Sequence, residues 1–125
     1  MTDGWYAPLG RVATRRIEQR KQTAFLWPGT GPRARGFEAD EEILVTDIEP
    51  QRSMSYPVRL LCRVVTAEKL KWTDLTHAHA EQAGATGLEQ LGTRWDRCND
   101  GVLRSTRNPH ITVVVFDMIK RVRMP

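Results

Sequence analysis

A pair of helix signals set between strand-like runs constrains this chain more than any other feature. In residues 72–95, read as WTDLTHAHAEQAGATGLEQLGTRW, Thr73 and Asp74 are N-cap residue types, apolar positions begin at Leu75, and Gly84 is a stop. Thr86 and Glu89 then have the spacing of a capping box for a second helix that carries Leu88 and Leu91. Strand patterns surround this pair. Residues 23–27 are apolar and aromatic up to Pro28, residues 43–48 alternate and stop before Pro50, and residues 58–65 (VRLLCRVV) place Arg59 and Arg63 on an otherwise buried pattern. Residues 111–118 (ITVVVFDM) are the most apolar run. Residues 12–20 read as a short helix, with Val12, Ile17 and the stem of Arg16 towards the core. The order is helix, strand, loop, strand, strand, two helices, strand, which is not the alternation of a doubly wound sheet. It predicts an α+β domain: a small, mostly antiparallel β-barrel with helices inserted before its closing strand.

At 125 residues the chain makes a single domain, residues 1–125, with a core over about 12–118. No apolar run approaches the roughly 20 residues that span a bilayer, so no membrane segment is expected. The opening MTDGWYAPLG lacks the basic-then-apolar shape of a signal peptide. Cys62, in a strand pattern, and Cys98, in the polar loop of residues 98–109, do not make a disulfide framework. A reduced, cytoplasmic compartment follows as the expectation. Neither cysteine has a partner at zinc spacing, and His77 and His79 lie roughly 200° apart round a helix, so no metal site is expected. No cofactor is expected either. The glycine-rich loop of residues 28–36 (PGTGPRARG) lacks the Gly-Lys-Ser/Thr ending of a P-loop.

Charge is more directive. The net charge is +4, and the pI is near 9.5. Arg11, Arg15, Arg16, Arg20 and Lys21 cluster with only Glu18 to offset them, while the acidic run Asp40, Glu41, Glu42 stands apart. Arg33 and Arg35 in the glycine-rich loop, and Lys120, Arg121 and Arg123 in the tail, add to the positive side. Segregated basic charge is the footprint of a partner such as a nucleic acid or nucleotide. Arginine in the loop can fork onto phosphate, and Trp27 beside it can stack a base or fill the core.

The run LTHAHAEQAGATGLEQL resembles the helical insert of ASCH-domain proteins, in particular the small bacterial acetylcytidine amidohydrolases. The matching residues are Leu75, Thr76, His79, Ala80, Glu81, Gln82, Thr86, Glu89 or Gln90, and Leu91. The resemblance covers roughly residues 12–118 and implies a PUA-like fold, in agreement with the element order. It also implies a catalytic lysine and threonine on the strand after the first helix and a glutamate after the first insert helix. Lys21, preceded by Arg20, falls on the lysine position. The threonine position is Ala24, with Thr23 one residue early, and a one-residue offset turns a strand side chain to the opposite face unless a bulge resets the register. The glutamate position is Ala83, with Glu81 about half a turn away. The family's strand arginine falls on Leu26 or Trp27.

The resulting expectation is an ASCH-type domain that binds RNA, or a nucleotide or nucleoside derived from it, in a basic cleft. The cleft would lie between the Lys21 strand, the loop of residues 33–35 and the first insert helix, with Arg20, Lys21, Trp27, Arg33 and Arg35 as binding residues. One alternative is an amidohydrolase acting on a modified nucleoside, in which Lys21 activates Thr23 and Glu81 or another carboxylate moves the proton. The other is a protein-interaction module on the same fold.

Overall fold

The computed structural model describes residues 5–8, 11–31, 34–46, 59–98 and 108–122. Among the described residues five strands form one curled sheet: β1 (Trp5–Pro8), β2 (Ala24–Pro28), β3 (Glu42–Thr46), β4 (Arg59–Lys71) and β5 (His110–Val122), in the order β1-β3-β4-β5-β2. Pairing is antiparallel except between β1 and β3. The expectation of a small, mostly antiparallel, barrel-like sheet with helices inserted before the last strand is met. The curl is open, however. β1 and β2 are its two ends and do not pair with each other, so the sheet is a half-barrel and not a closed one.

Among the described residues three α-helices cover the sheet: α1 (Arg11–Glu18), α2 (His77–Gln82) and α3 (Leu88–Cys98). Because β2 and β5 are covered on both faces, their alternation feeds two cores. Phe25 and Trp27 of β2 meet Val114 and Phe116 of β5, Ile43 and Val45 of β3, Leu60, Cys62 and Val64 of β4, and Ile17 of α1. Ala24, Ile111 and Val113 face the other way, onto Ala80, Ala83, Ala85, Leu91 and Trp95 of the helical insert, with Leu26 and Val115 beside them. No helix among the described residues is long and apolar enough to cross a membrane.

Several sequence expectations change in detail. Val12 is 63% exposed, whereas Ile17 is buried. Five residues apart, the two lie roughly 140° round the helix and cannot share a face; Thr14, one turn before Ile17, is buried in its place. The first insert helix is capped by Thr76 and not by Thr73 or Asp74, which lie in a short 3-10 turn over Trp72–Asp74. His79 closes that cap: the Thr76 N–H donates to its Nδ1 at 2.9 Å, and the His79 N–H donates to the Thr76 hydroxyl at 3.4 Å. At the second helix the Thr86 N–H bonds the Gln90 side chain at 2.8 Å, so Gln90 takes the role expected of Glu89. α3 runs on through Cys98, which the sequence pattern assigned to a loop.

Gly84 stops α2 as expected. At φ +76°, it lets the Ala85 N–H reach the Ala80 carbonyl at 2.8 Å and its own N–H reach the Glu81 carbonyl at 2.9 Å, a Schellman motif. α1 ends in the same motif, with Lys21 N–H on the Arg16 carbonyl at 2.8 Å and Arg20 N–H on the Ile17 carbonyl at 3.0 Å. There the left-handed residue is Arg20, at φ 60°, where its Cβ crowds the backbone. Arg20→Gly is therefore expected to stabilise the protein by about 1 kcal/mol, after the greater chain entropy of unfolded glycine is subtracted. A urea titration should show the midpoint rise at unchanged slope.

Candidate functional site

A pocket of about 370 Å³ lies beside the last residues of β2, over the ladder in which Thr112 of β5 stands between Trp27 of β2 and Lys69 of β4. Its floor is sheet: Ala67 and Lys69 of β4 and Thr112 of β5 line it, with Lys69 paired to Thr112 in the ladder. Its walls are Gly29 and the segment Ala34–Phe37. Gly29 sits so close to β5 that a Cβ would lie 2.9 Å from the His110 carbonyl carbon, and its N–H donates to the His110 oxygen at 2.9 Å. Only glycine lets the chain leave β2 and turn along the rim there.

The wall is held by a small network. The Arg35 guanidinium pairs with the Glu41 carboxylate and lies 4.5 Å from the centroid of Phe37. Glu41 also accepts the Glu38 N–H at 3.2 Å. The turn at Asp40, at φ 68°, is tied to β4 by Asp40 N–H to the Val64 carbonyl and Val64 N–H to the Glu41 carbonyl, both at 2.8 Å. Phe37 in turn packs edge-on to Phe25, with ring centroids 6.0 Å apart. Arg35 is thus presented by a braced loop.

The pocket combines two cations, a hydroxyl and an aromatic edge. Lys69 is exposed and has no carboxylate partner among the described residues. Thr112 is buried with its side chain on the pocket side. This lining suits an anionic group attached to a flat or apolar body. The volume falls within the roughly 300–1,000 Å³ of small-molecule sites.

The residues expected to share one cleft are not all brought together. Arg35 lines the pocket, and Arg33 lies outside the described residues. Trp27 is 6% exposed and packed edge-on to Phe25 at 6.3 Å, so it is a core residue with no face open to a stacking base. Arg20 and Lys21 are exposed at the end of α1 and do not line this pocket. They stand at the start of β2, while the pocket stands at its finish, on the order of 20 Å further along the strand. The first insert helix lies at the Lys21 end, where the Thr23 N–H donates to the Gln82 carbonyl at 2.8 Å. Lys69, Thr112 and Phe37 escaped the sequence reading. Their meeting depends on strand register and on a loop folding back over the sheet, neither of which leaves a local signal.

The residues placed on the hydrolase positions are also apart. Thr23 is exposed and Ala24 is fully buried on the opposite face. The β2–β5 ladder runs without a register shift from Ala24↔Val115 to Pro28↔Ile111, so no bulge turns Thr23 round. Among the described residues the register shifts fall between β4 and β5, at Leu61/Cys62 and Val64/Thr66. Ala83 is buried in the helical core, and the Glu81 carboxylate lies on the surface, 2.7 Å from His77 Nε2. Among the described residues no group of three or more His, Cys, Asp or Glu could hold a metal ion.

No protein-family model matches the chain, and no curated protein matches it. Among solved structures it is similar to protein EF3133 from Enterococcus faecalis V583, assigned to the family model DUF984, with a TM-score of 0.70 at 11% identity. The match covers 100% of this chain and 86% of that one. The two chains share a fold.

Proposed function

We propose that this chain is an ASCH-type, PUA-like domain that binds RNA or a nucleotide derived from it, with the phosphate held in the Arg35–Lys69 pocket. The supporting observation is the lining of that pocket. Lys69 and the braced Arg35 flank it, Thr112 offers a hydroxyl at its floor, and Phe37 offers an apolar wall. A phosphate accepts charge-assisted hydrogen bonds from lysine, arginine and hydroxyl groups, and a base or ribose has the apolar area to lie against Phe37. The exposed Arg15, Arg20 and Lys21 supply further positive charge at the other end of β2, where a longer strand of RNA would find phosphate contacts. The element order and the helical insert support the ASCH reading.

The test is binding by anisotropy to a short single-stranded RNA and by calorimetry to a nucleoside monophosphate, each across a salt series. Lys69→Ala should weaken both by about 10- to 100-fold, the equivalent of a lost hydrogen bond to a charged group. It should also make the logarithmic salt dependence for the RNA shallower by about 0.7, the share of one single-strand phosphate contact. Lys69 is the cleaner probe, because removing Arg35 would also release Glu41 and the loop. Binding unchanged by Lys69→Ala, or no saturable binding at low salt, would overturn the proposal.

A further inference from the structure

The second half of β4 has an edge that no described residue pairs with. β3 accompanies β4 from Thr46↔Arg59 to Glu42↔Arg63, and the turn at Asp40 closes that ladder on Val64. From Val65 to Lys71 the strand is held by β5 alone. Residues 65–69 are all exposed, where a strand covered on one face would alternate.

The hydrogen bonds fix which backbone groups are spare. In an antiparallel strand the N–H and C=O of one residue point the same way, and those of its neighbours point the other way. On β5 the Phe116 N–H donates to the Thr23 carbonyl, and the His110 carbonyl accepts from the Gly29 N–H. Alternate residues of that stretch therefore serve β2, and Ile111, Val113 and Val115 serve β4. Their partners in the register are Leu70, Glu68 and Thr66. Trp72 continues this set, donating to the Pro109 carbonyl at 3.0 Å, while the Lys71 N–H points the other way, to Asp74 Oδ2 at 3.2 Å. The N–H and C=O of Ala67 and Lys69 thus leave the sheet sideways, and among the described residues none bonds to them.

The side chains along this edge select what can pair with it. Ala67, Lys69 and Lys71 share the pocket's face of the strand; Thr66, Glu68 and Leu70 share the other, where Leu70 packs against the helical insert. Lys69 and Lys71 are exposed, and neither ammonium has a carboxylate partner among the described residues. Lysines on an edge discourage pairing with a second copy of the same edge. They favour a strand with carboxylates at alternate positions, because side chains directly opposite on neighbouring strands touch and opposite charges there attract. Ala67 adds no bulk where the two backbones would meet.

We propose that the open edge of β4 over residues 65–71 docks an extended acidic peptide from another protein. The peptide adds to the sheet as a further strand, its backbone bonded to Ala67 and Lys69, and sets Asp or Glu residues two apart against Lys69 and Lys71. Ala67 and Lys69 together offer it two donors and two acceptors. The inference goes beyond the nucleotide reading, since its bonds are made by edge amides and not by the phosphate-binding side chains of the pocket.

The test uses the full chain and two synthetic peptides, Thr-Val-Glu-Val-Glu-Val-Thr and its counterpart with lysine in place of glutamate. Each is titrated while the backbone amide signals of residues 65–71 are followed. The glutamate peptide should saturate the shifts of Ala67 and Lys69 and slow the hydrogen exchange of those two amides by about tenfold or more, as new hydrogen bonds require. The lysine peptide should do neither. Ala67→Pro removes an outward N–H that serves no ladder, a place where an edge strand tolerates proline, and should weaken the glutamate peptide about tenfold. Ala67→Val keeps the amide and should bind as the parent does. Lys71→Glu lies outside the pocket lining and should reverse the preference between the two peptides. Melting curves establish that each variant is folded, and Lys71→Glu alone decides if Ala67→Pro is not. Equal binding of the two peptides, absence of saturable shifts, or full affinity in folded Ala67→Pro would overturn the proposal. So would a dimeric parent whose Ala67 and Lys69 amides already exchange slowly, which assigns the edge to a second copy. Protection of these amides by a nucleoside monophosphate and not by the peptide would overturn it in favour of the pocket's ligand.

Discussion

Phe25→Ala is expected to lower the free energy of unfolding by about 3–5 kcal/mol, a large share of the stability of a domain of this size. Phe25 is 3% exposed on β2 and sits at the centre of an aromatic group. Its ring centroid lies 6.3 Å from Trp27, 6.0 Å from Phe37 and 5.7 Å from Phe116. Truncation removes the buried area and also three ring contacts, each worth roughly 0.5–1.5 kcal/mol beyond area. β2 stands at one end of the sheet order, and its backbone is fixed to β5 along Ala24–Pro28, so the strand cannot slide inward to fill the void. Urea unfolding at 25 °C measures the loss, with Val12→Ala as the control. Val12 is 63% exposed, and its substitution should move stability by no more than about 0.5 kcal/mol. Phe37 is both a neighbour of Phe25 and a wall of the pocket, so any affinity for the proposed nucleotide ligand should fall in Phe25→Ala even where the protein remains folded. An effect on stability near that of the control would mean that the aromatic group is not the centre of the core.

What the sequence announced was local. Gly84 declares a left-handed helix end, Thr86 declares a helix start three to four residues before its partner, and the apolar, aromatic run of residues 23–27 up to Pro28 declares a strand. What it withheld was set by distant partners. Residues 66–71 (TAEKLK) have little strand character, yet they extend β4 because β5 offers a ladder from His110 to Val115. Four residues ending in proline became β1 because β3 lay ready to pair with them in parallel. The two faces of β2 could be separated by parity, but not ranked, because both are covered; hence Trp27 belonged to a core and not to a binding face. The basic residues show the same division. Their abundance was legible. That Lys69 joins Arg35, while Lys21 stays at the far end of β2, follows only from register.

Hydrolysis of acetylated cytidine is expected to be lower by 10²- to 10⁴-fold, or more, than a complete lysine–threonine–glutamate site would give. The position that the amidohydrolase resemblance gives to the nucleophile is Ala24, which is fully buried and has no hydroxyl. Thr23 lies on the other face of an unbulged strand, so its hydroxyl and the side chain of residue 24 cannot occupy the same place. The position that the resemblance gives to the proton shuttle is Ala83, buried among Ala80, Ala85 and Leu91, while Glu81 is held at the surface beside His77. Cys62 is no substitute. Burial pushes its thiol up to about 12, so almost none is present as the reactive thiolate at neutral pH. Losing the shuttle alone costs the stated factor, and losing the nucleophile closes the covalent route as well. The proposed phosphate binding would depend on neither group, because Lys69, Arg35 and Thr112 are on other elements. Release of acetate from acetylcytidine, followed beside Lys21→Ala and Thr23→Ala, decides the matter. Background rates indistinguishable among the three proteins are the expected result. Robust turnover abolished by both substitutions would show that Thr23 reaches the substrate despite its register, and that the amidohydrolase reading is the right one.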